Sequence, residues 1–124
     1  LRVRDVMLTR DFPWLPADAT MRECVVLLAG KRGTVAILDE GSRVIGVVTA
    51  GDLTRLMERT VDPLGVPVAD VMNTDPKTIG PDELAAAAIY RMETHGIMAL
   101  PVVDEERRLI GIVHLHDLMR AGVV

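Results

Sequence analysis

A single cysteine, Cys24, stands in the 124 residues, so no internal disulfide can form. It falls in an apolar helical pattern, where a small structural thiol is the ordinary use of the residue, and the lack of a disulfide framework fits a reducing cytoplasm. No apolar run approaches the ~18 residues that a membrane span needs. The N-terminus also lacks the charged-then-apolar layout of a signal peptide. Lysine and arginine are not clustered and the net charge is −4, which argues against nucleic acid or an acidic membrane as the main partner. There is no Ser-His-Asp or Cys-His arrangement, no P-loop and no paired carboxylate in a recognisable setting, so nothing marks a free-standing enzyme.

What is present is one unit written twice. With 49% hydrophobic residues the chain can bury roughly two-thirds of its unfolded surface and form a globular core. Val44-Ile45-Gly46-Val47-Val48-Thr49-Ala50-Gly51-Asp52-Leu53 returns as Leu109-Ile110-Gly111-Ile112-Val113-His114-Leu115-His116-Asp117-Leu118, at an offset of 65 residues. At the same offset Asp5-Val6-Met7 meets Asp70-Val71-Met72, Pro16 meets Pro81, Asp39 meets Asp104 and Arg43 meets Arg108. Register held over a whole unit identifies a tandem repeat, and two copies are too few for a solenoid, so the copies are expected to pack about a pseudo-two-fold axis. The first repeat with its lead-in takes residues 1–60, a linker 61–67, and the second repeat 68–124. Leu1 is not a methionine and Leu1 to Met7 already belongs to the repeat. The chain therefore reads as a piece of a longer protein.

Taken in order, residues 1–11 are a lead-in and Phe12 to Leu15 a short extended segment. Thr20-Met21-Arg22-Glu23 has capping-box spacing, so a helix is expected from about Met21 to Lys31, with Met21, Cys24, Val25, Leu27 and Leu28 on its apolar face. Thr34 to Leu38 and Val44 to Val48 flank Asp39-Glu40-Gly41-Ser42 and read as a hairpin with a Gly-containing turn. Thr49-Ala50-Gly51-Asp52 leads into a helix from Leu53 to Arg59. After the linker come a helical turn over Val68 to Met72, a short strand over Pro76 to Ile79, and a helix from about Asp82 to Thr94, with Pro81 in its first turn. Ala99 to Val103 and Leu109 to Val113 form the second hairpin, and Leu115 to Ala121 the last helix. The fold class is α+β, each repeat being strand, helix, strand, strand, helix.

The pattern in Met98-Ala99-Leu100-Pro101-Val102-Val103-Asp104 followed by Gly111-Ile112-Val113-His114-Leu115-His116-Asp117 resembles the cystathionine-β-synthase (CBS) domain. The tandem resembles a CBS pair, or Bateman module, over the entire chain. More narrowly, Pro67-Val68-Ala69-Asp70-Val71-Met72 and the segment from His114 to Val124 are similar to the C-terminal part of bacterial D-arabinose-5-phosphate isomerases, whose N-terminal sugar-isomerase (SIS) domain is absent here. The resemblance implies two clefts for adenosine-type nucleotides, with a Thr/Ser-x-x-Asp turn holding ribose and phosphate. Carried onto this chain, the turn is Thr49 with Asp52. In the second repeat Asp117 is kept and His114 takes the hydroxyl's place. The family pattern also brings Lys77 and Thr78 into the cleft, with Met98 and Ala99 offering backbone groups and an apolar surface to a base. Gly33 and Thr34, their first-repeat equivalents, would face the other cleft.

The residues themselves leave alternatives open. A carboxylate in the first turn of a helix stays ionised and accepts two ribose hydroxyls, while nearby amides meet a phosphate. Thr49 and Asp52 equally suit a plain capping box. His114 and His116 with Asp117 are weak metal candidates on spacing alone, and no metal site is assigned. They read instead as hydrogen-bond donors to an anionic ligand or as polar caps. Met98 suits ligand contact or core packing. His95, before Gly96, reads as a helix-end residue outside the site.

Two functions of different class follow. One is a regulatory module with no cofactor of its own, sensing a nucleotide or nucleotide-sugar for an attached SIS domain. If the isomerase likeness holds, CMP-Kdo, the activated product of the route to the lipopolysaccharide sugar Kdo, is a fitting signal, with AMP or ATP as the alternative. The other is a ligand-free oligomerisation module. A homodimer is expected in either case.

Overall fold

The computed structural model describes residues 1–30 and 33–123. The first repeat folds as strand β1 (Trp14–Pro16), helix α1 (Met21–Gly30), strands β2 (Thr34–Leu38) and β3 (Val44–Thr49), and helix α2 (Ala50–Arg59). The second supplies helix α3 (Ala85–His95), strands β4 (Ala99–Val103) and β5 (Leu109–His114), and helix α4 (Leu115–Arg120). The class is α+β, as expected. Lys31, where the first helix was expected to end, lies outside the described residues.

Both hairpins are antiparallel and both break register at the same place in the repeat, between Ile37 and Leu38 and between Val102 and Val103. Their turns are built by an aspartate rather than by the glycine. Asp39 Oδ1 accepts the N–H groups of Gly41 and Arg43, both at 2.9 Å, and Asp104 Oδ1 accepts those of Glu106 and Arg108 at 3.0 and 2.9 Å. The residues in the left-handed region are therefore Ser42 (φ 65°) and Arg107 (φ 64°), not Gly41. The Arg43 N–H bond, foremost, holds the Asp39 carboxyl below its usual value.

The chain divides into two compact units, Leu1–Phe12 with Lys77–Val124, and Pro13–Pro76. The lead-in of the first repeat thus packs with the elements of the second. In that unit Leu8 pairs with Ile112 on the open edge of β5, the two exchanging N–H···O bonds of 2.8 and 3.0 Å. In the other unit Asn73, in the lead-in of the second repeat, pairs with Val47 of β3 at 2.8 and 3.1 Å. The cores follow the same exchange. Val3 is buried with Ile79, Ala88, Met92, Leu100, Val113 and Leu118, and Val68 with Met21, Cys24, Val35, Ile37, Val48 and Leu56. Each fully buried valine or leucine contributes about 1.5–3 kcal/mol relative to exposure.

The lead-in also explains two departures from the sequence reading. Helix α3 begins at Ala85 rather than Asp82, and Pro81 is outside it. The carbonyls of Pro81 and Glu83 accept the N–H groups of Arg4 and Val3, and the Ala85 N–H donates to the Leu1 carbonyl, so this backbone is committed to the lead-in instead of a helical turn. Asp82, expected to favour the helix dipole, forms an ion pair with Arg4 instead. The strand expected over Pro76 to Ile79 shrinks to one parallel bridge, Ile79 with Val102. The Thr78 carbonyl is taken by the Arg91 guanidinium at 2.7 Å and so leaves the ladder. The lead-in itself contains a 3-10 turn, Val3–Asp5.

Gly46 and Gly111 are needed because the lead-ins lie against them. A Cβ on Gly111 would come within 2.8 Å of the Leu8 carbonyl oxygen and 3.0 Å of Met7 Sδ. On Gly46 it would come within 2.5 Å of Met72 Sδ and 3.0 Å of the Asn73 carbonyl oxygen. Gly111→Ala is expected to cost about 1–3 kcal/mol through forced displacement of backbone. Gly65→Ala, whose added atom meets only an ordinary 3.7 Å contact with Asp62, should change stability by well under that. Urea denaturation of the two variants checks the difference.

Candidate functional site

In both repeats a strand runs into a helix with no loop between. Thr49 closes β3 and is also the N-cap of α2, which starts at Ala50, three residues earlier than the sequence suggested. Ala50 is anchored by its N–H to the Gly33 carbonyl at 3.0 Å, and Thr34 is the cross-strand partner of Thr49. Gly33 (φ +79°), Thr34, Thr49 and Asp52 are therefore gathered at one end of the β2–β3 hairpin. In the second repeat Leu115 N–H donates to the Met98 carbonyl at 2.8 Å and Ala99 pairs with His114, so Met98, Ala99, His114, His116 and Asp117 gather in the same way.

The two caps differ in chemistry. Thr49 and Asp52 form a full capping box. Asp52 Oδ2 accepts the Thr49 N–H at 2.8 Å and its hydroxyl at 3.1 Å, while the Asp52 N–H donates to Thr49 Oγ1 at 3.3 Å. Asp52 Oδ1 is bound by Arg55 at 2.6 Å. In α4 the cap is an imidazole: His114 Nδ1 accepts the His116 N–H at 3.0 Å. That nitrogen carries a lone pair, so in the neutral ring the proton sits on Nε2. His114 and Asp117 are half-buried and His116 is exposed.

Lys77 and Thr78 are half-buried and precede the Ile79 bridge, so the parallel run carries them toward the Ala99 end of β4. Arg91, which the sequence reading did not single out, holds this segment. It donates to the Thr78 carbonyl and to Glu83 Oε1 at 2.9 Å, while Glu83 Oε2 accepts the Gly80 N–H at 2.8 Å. An arginine eight residues from its acid and thirteen from the carbonyl it binds gives no periodic signal. Met98 is 56% exposed, which removes the core-packing alternative for it. His95 ends α3 before Gly96 (φ +63°), at the helix end where it was expected. Cys24 is fully buried in the core, and burial, with the Asp52 charge adding, pushes its thiol up to about 11. It stays protonated at neutral pH. Among the described residues no three His, Cys, Asp or Glu side chains are grouped to hold a metal ion. Nor is any helix among them long and apolar enough to cross a membrane.

A family model described as the CBS domain matches residues 3–59 and again 68–124. The chain belongs to the CBS domain family. The two matches make it a tandem CBS pair. Over its whole length it is 37% identical to arabinose 5-phosphate isomerase KdsD of Yersinia pestis and 36% to that of Escherichia coli K12, spanning 38% of each. Among solved structures it is similar to the CBS domain protein PAE2072 from Pyrobaculum aerophilum complexed with AMP, with TM-score 0.84 and 28% identity over 95% of this chain and 90% of that one. The CBS pair of protein MJ0100, in complex with 5′-methylthioadenosine and S-adenosyl-L-methionine, shares the fold at TM-score 0.86 and 22% identity, over 99% and 96% of the two chains.

Two predictions test this local chemistry. Thr49→Ala removes the cap from α2 and should lower stability by about 1 kcal/mol, with Thr49→Ser close to wild type, as read by urea denaturation. The second concerns pH. The Arg91 hydrogen bond, foremost, holds the Glu83 carboxyl below its usual value. Its stabilisation is complete above the unfolded carboxyl's value of about 4.3 and is lost as pH falls through the lower native value. Melting curves of wild type and Glu83→Gln should therefore differ at neutral pH and converge on acidification.

Proposed function

We propose that this CBS pair is the regulatory part of an arabinose 5-phosphate isomerase, where it senses a nucleotide or nucleotide-sugar and passes occupancy to an attached N-terminal SIS domain. The observation that carries the reading is similarity, over the whole of this chain, to part of the KdsD isomerases, combined with two unlike turns at equivalent positions. A ligand with a ribose, a phosphate and a carboxylate would use both kinds of group. Asp52 or Asp117 would take hydroxyls, helix-start amides the phosphate, and Lys77 or a histidine the carboxylate. Gly33 and Thr34 would line the first repeat's turn, and Thr78, Met98 and Ala99 the second's.

CMP-Kdo has that composition and is the activated product of the route such an isomerase opens, so it is the proposed signal. Adenine nucleotides are the alternative, since PAE2072 is complexed with AMP. Regulation requires the ligand to bind one arrangement of the pair better than another. The module is proposed to work as a cytoplasmic homodimer, with repeats at 1–60 and 68–124 joined by residues 61–67.

Calorimetry and melting of the chain with CMP-Kdo, CMP, AMP and ATP test this. CMP-Kdo is expected to bind with a Kd of about 1–100 μM and to raise the melting temperature, and Asp117→Asn to weaken binding about tenfold or more. No heat and no melting shift with any of the four would leave the ligand-free oligomerisation role. That second reading draws on Asp52, whose two oxygens already serve Thr49 and Arg55.

A further inference from the structure

Beyond the caps, the two repeats keep one more feature in common. Asp52-Leu53-Thr54-Arg55 and Asp117-Leu118-Met119-Arg120 share the acid, the leucine and the arginine, although Thr49 has become His114 and Leu56 has become Ala121. Packing accounts for the leucine: Leu118 is fully buried and Leu53 lies against the core of its unit. It does not account for the arginine, because the Arg55 side chain is 67% exposed.

The geometry gives Arg55 a different task. Asp52 is largely enclosed, its side chain 17% exposed, and Oδ2 is filled by the Thr49 N–H and hydroxyl. Oδ1 is the oxygen left for an incoming hydroxyl, and the Arg55 guanidinium sits on it at 2.6 Å. Both residues border a depression of about 320 Å³ that is also lined by Glu58, Arg59 and Val71. Arg59 is one helical turn beyond Arg55, so two guanidinium groups and one further acid surround this space.

We propose that Arg55 is the specificity-determining residue of the first repeat's ligand turn, covering Asp52 Oδ1 against uncharged diols and turning to the phosphate of a nucleotide that takes that oxygen. This rests on the reading that the turn holds a ligand's ribose. A hydroxyl that displaces the guanidinium replaces a bond charged on both sides with one charged only on the acceptor. A nucleoside gives the displaced arginine only water. A phosphate gives the planar guanidinium a two-pronged acceptor, and Arg59 adds a second cation. The turn thus favours nucleotides over nucleosides through exchange of partners at one exposed, mobile-stemmed side chain.

The competing role is that of an ordinary ion pair along a helix. That role would alter melting and leave ligand preference untouched. The deciding measurement is calorimetry in an Asp117→Asn background, titrating AMP against adenosine and CMP against cytidine into chains carrying Arg55, Arg55→Ala or Arg55→Lys. With Arg55 present, the monophosphate is expected to bind at least about tenfold tighter than its nucleoside. Arg55→Ala should weaken the monophosphate about tenfold without weakening the nucleoside, and Arg55→Lys, which keeps charge without the fork, should fall between. An unchanged preference in Arg55→Ala overturns the role while leaving nucleotide binding intact. Binding that survives Asp52→Asn overturns it as well, because the ligand would then not be on that oxygen. If the wild-type chain binds none of the four, the nucleotide-sensing reading fails first and this role with it.

Discussion

The backbone pairing of Leu8 with Ile112, and its counterpart between Asn73 and Val47, is the contact on which the rest of each unit depends. A two-stranded hairpin is marginal by itself, and the outer strand of each hairpin would otherwise offer a row of open N–H and C=O groups. The lead-in of the other repeat closes that edge. It can do so only because Gly46 and Gly111 have no side chain where Met72 and Met7 lie. The same lead-ins carry Val68 and Val3 into the cores, and the first of them takes the carbonyls that delay α3. Neither repeat, cut at its sequence boundaries, would contain its own edge closure.

Closing that edge fixes the end of the strand at which the proposed ligand turn lies. β3 and β5 each run straight into a helix, so the last strand residue is also the helix cap and has little freedom to move. Whatever binds there meets a cap whose backbone is held on both sides: by the hairpin partner, Thr34 or Ala99, and by the amide that follows, bonded to Gly33 or Met98. Side-chain chemistry at the cap can therefore change between repeats without disturbing the geometry around it.

Much of this was readable in the sequence, because the signals are periodic or repeated. The 65-residue offset pairs Gly46 with Gly111 and Asp39 with Asp104, and alternating β-branched residues located both hairpins almost to the residue. What escaped were interactions between segments far apart in the chain. The offset shows that Asp5-Val6-Met7 and Asp70-Val71-Met72 are equivalent, yet nothing in it says that each serves the other repeat's strand. The late start of α3 escaped for the same reason, since Pro81, Asp82 and Glu83 are a good helix start until Arg4, Arg2 and Val3 claim their carbonyls. Arg91 was invisible because its partners, Thr78 and Glu83, follow no helical spacing. At the two turns the family pattern supplied candidate residues, but which atoms are already engaged, above all both oxygens of Asp52, required the structure.

The exchange of a hydroxyl for an imidazole at the cap has a consequence for the acid three residues on. Thr49 acts in both directions, accepting the Asp52 N–H and donating its own proton to the carboxylate. His114 Nδ1 has only a lone pair, which it gives to the His116 N–H, so that atom has no proton to offer Asp117.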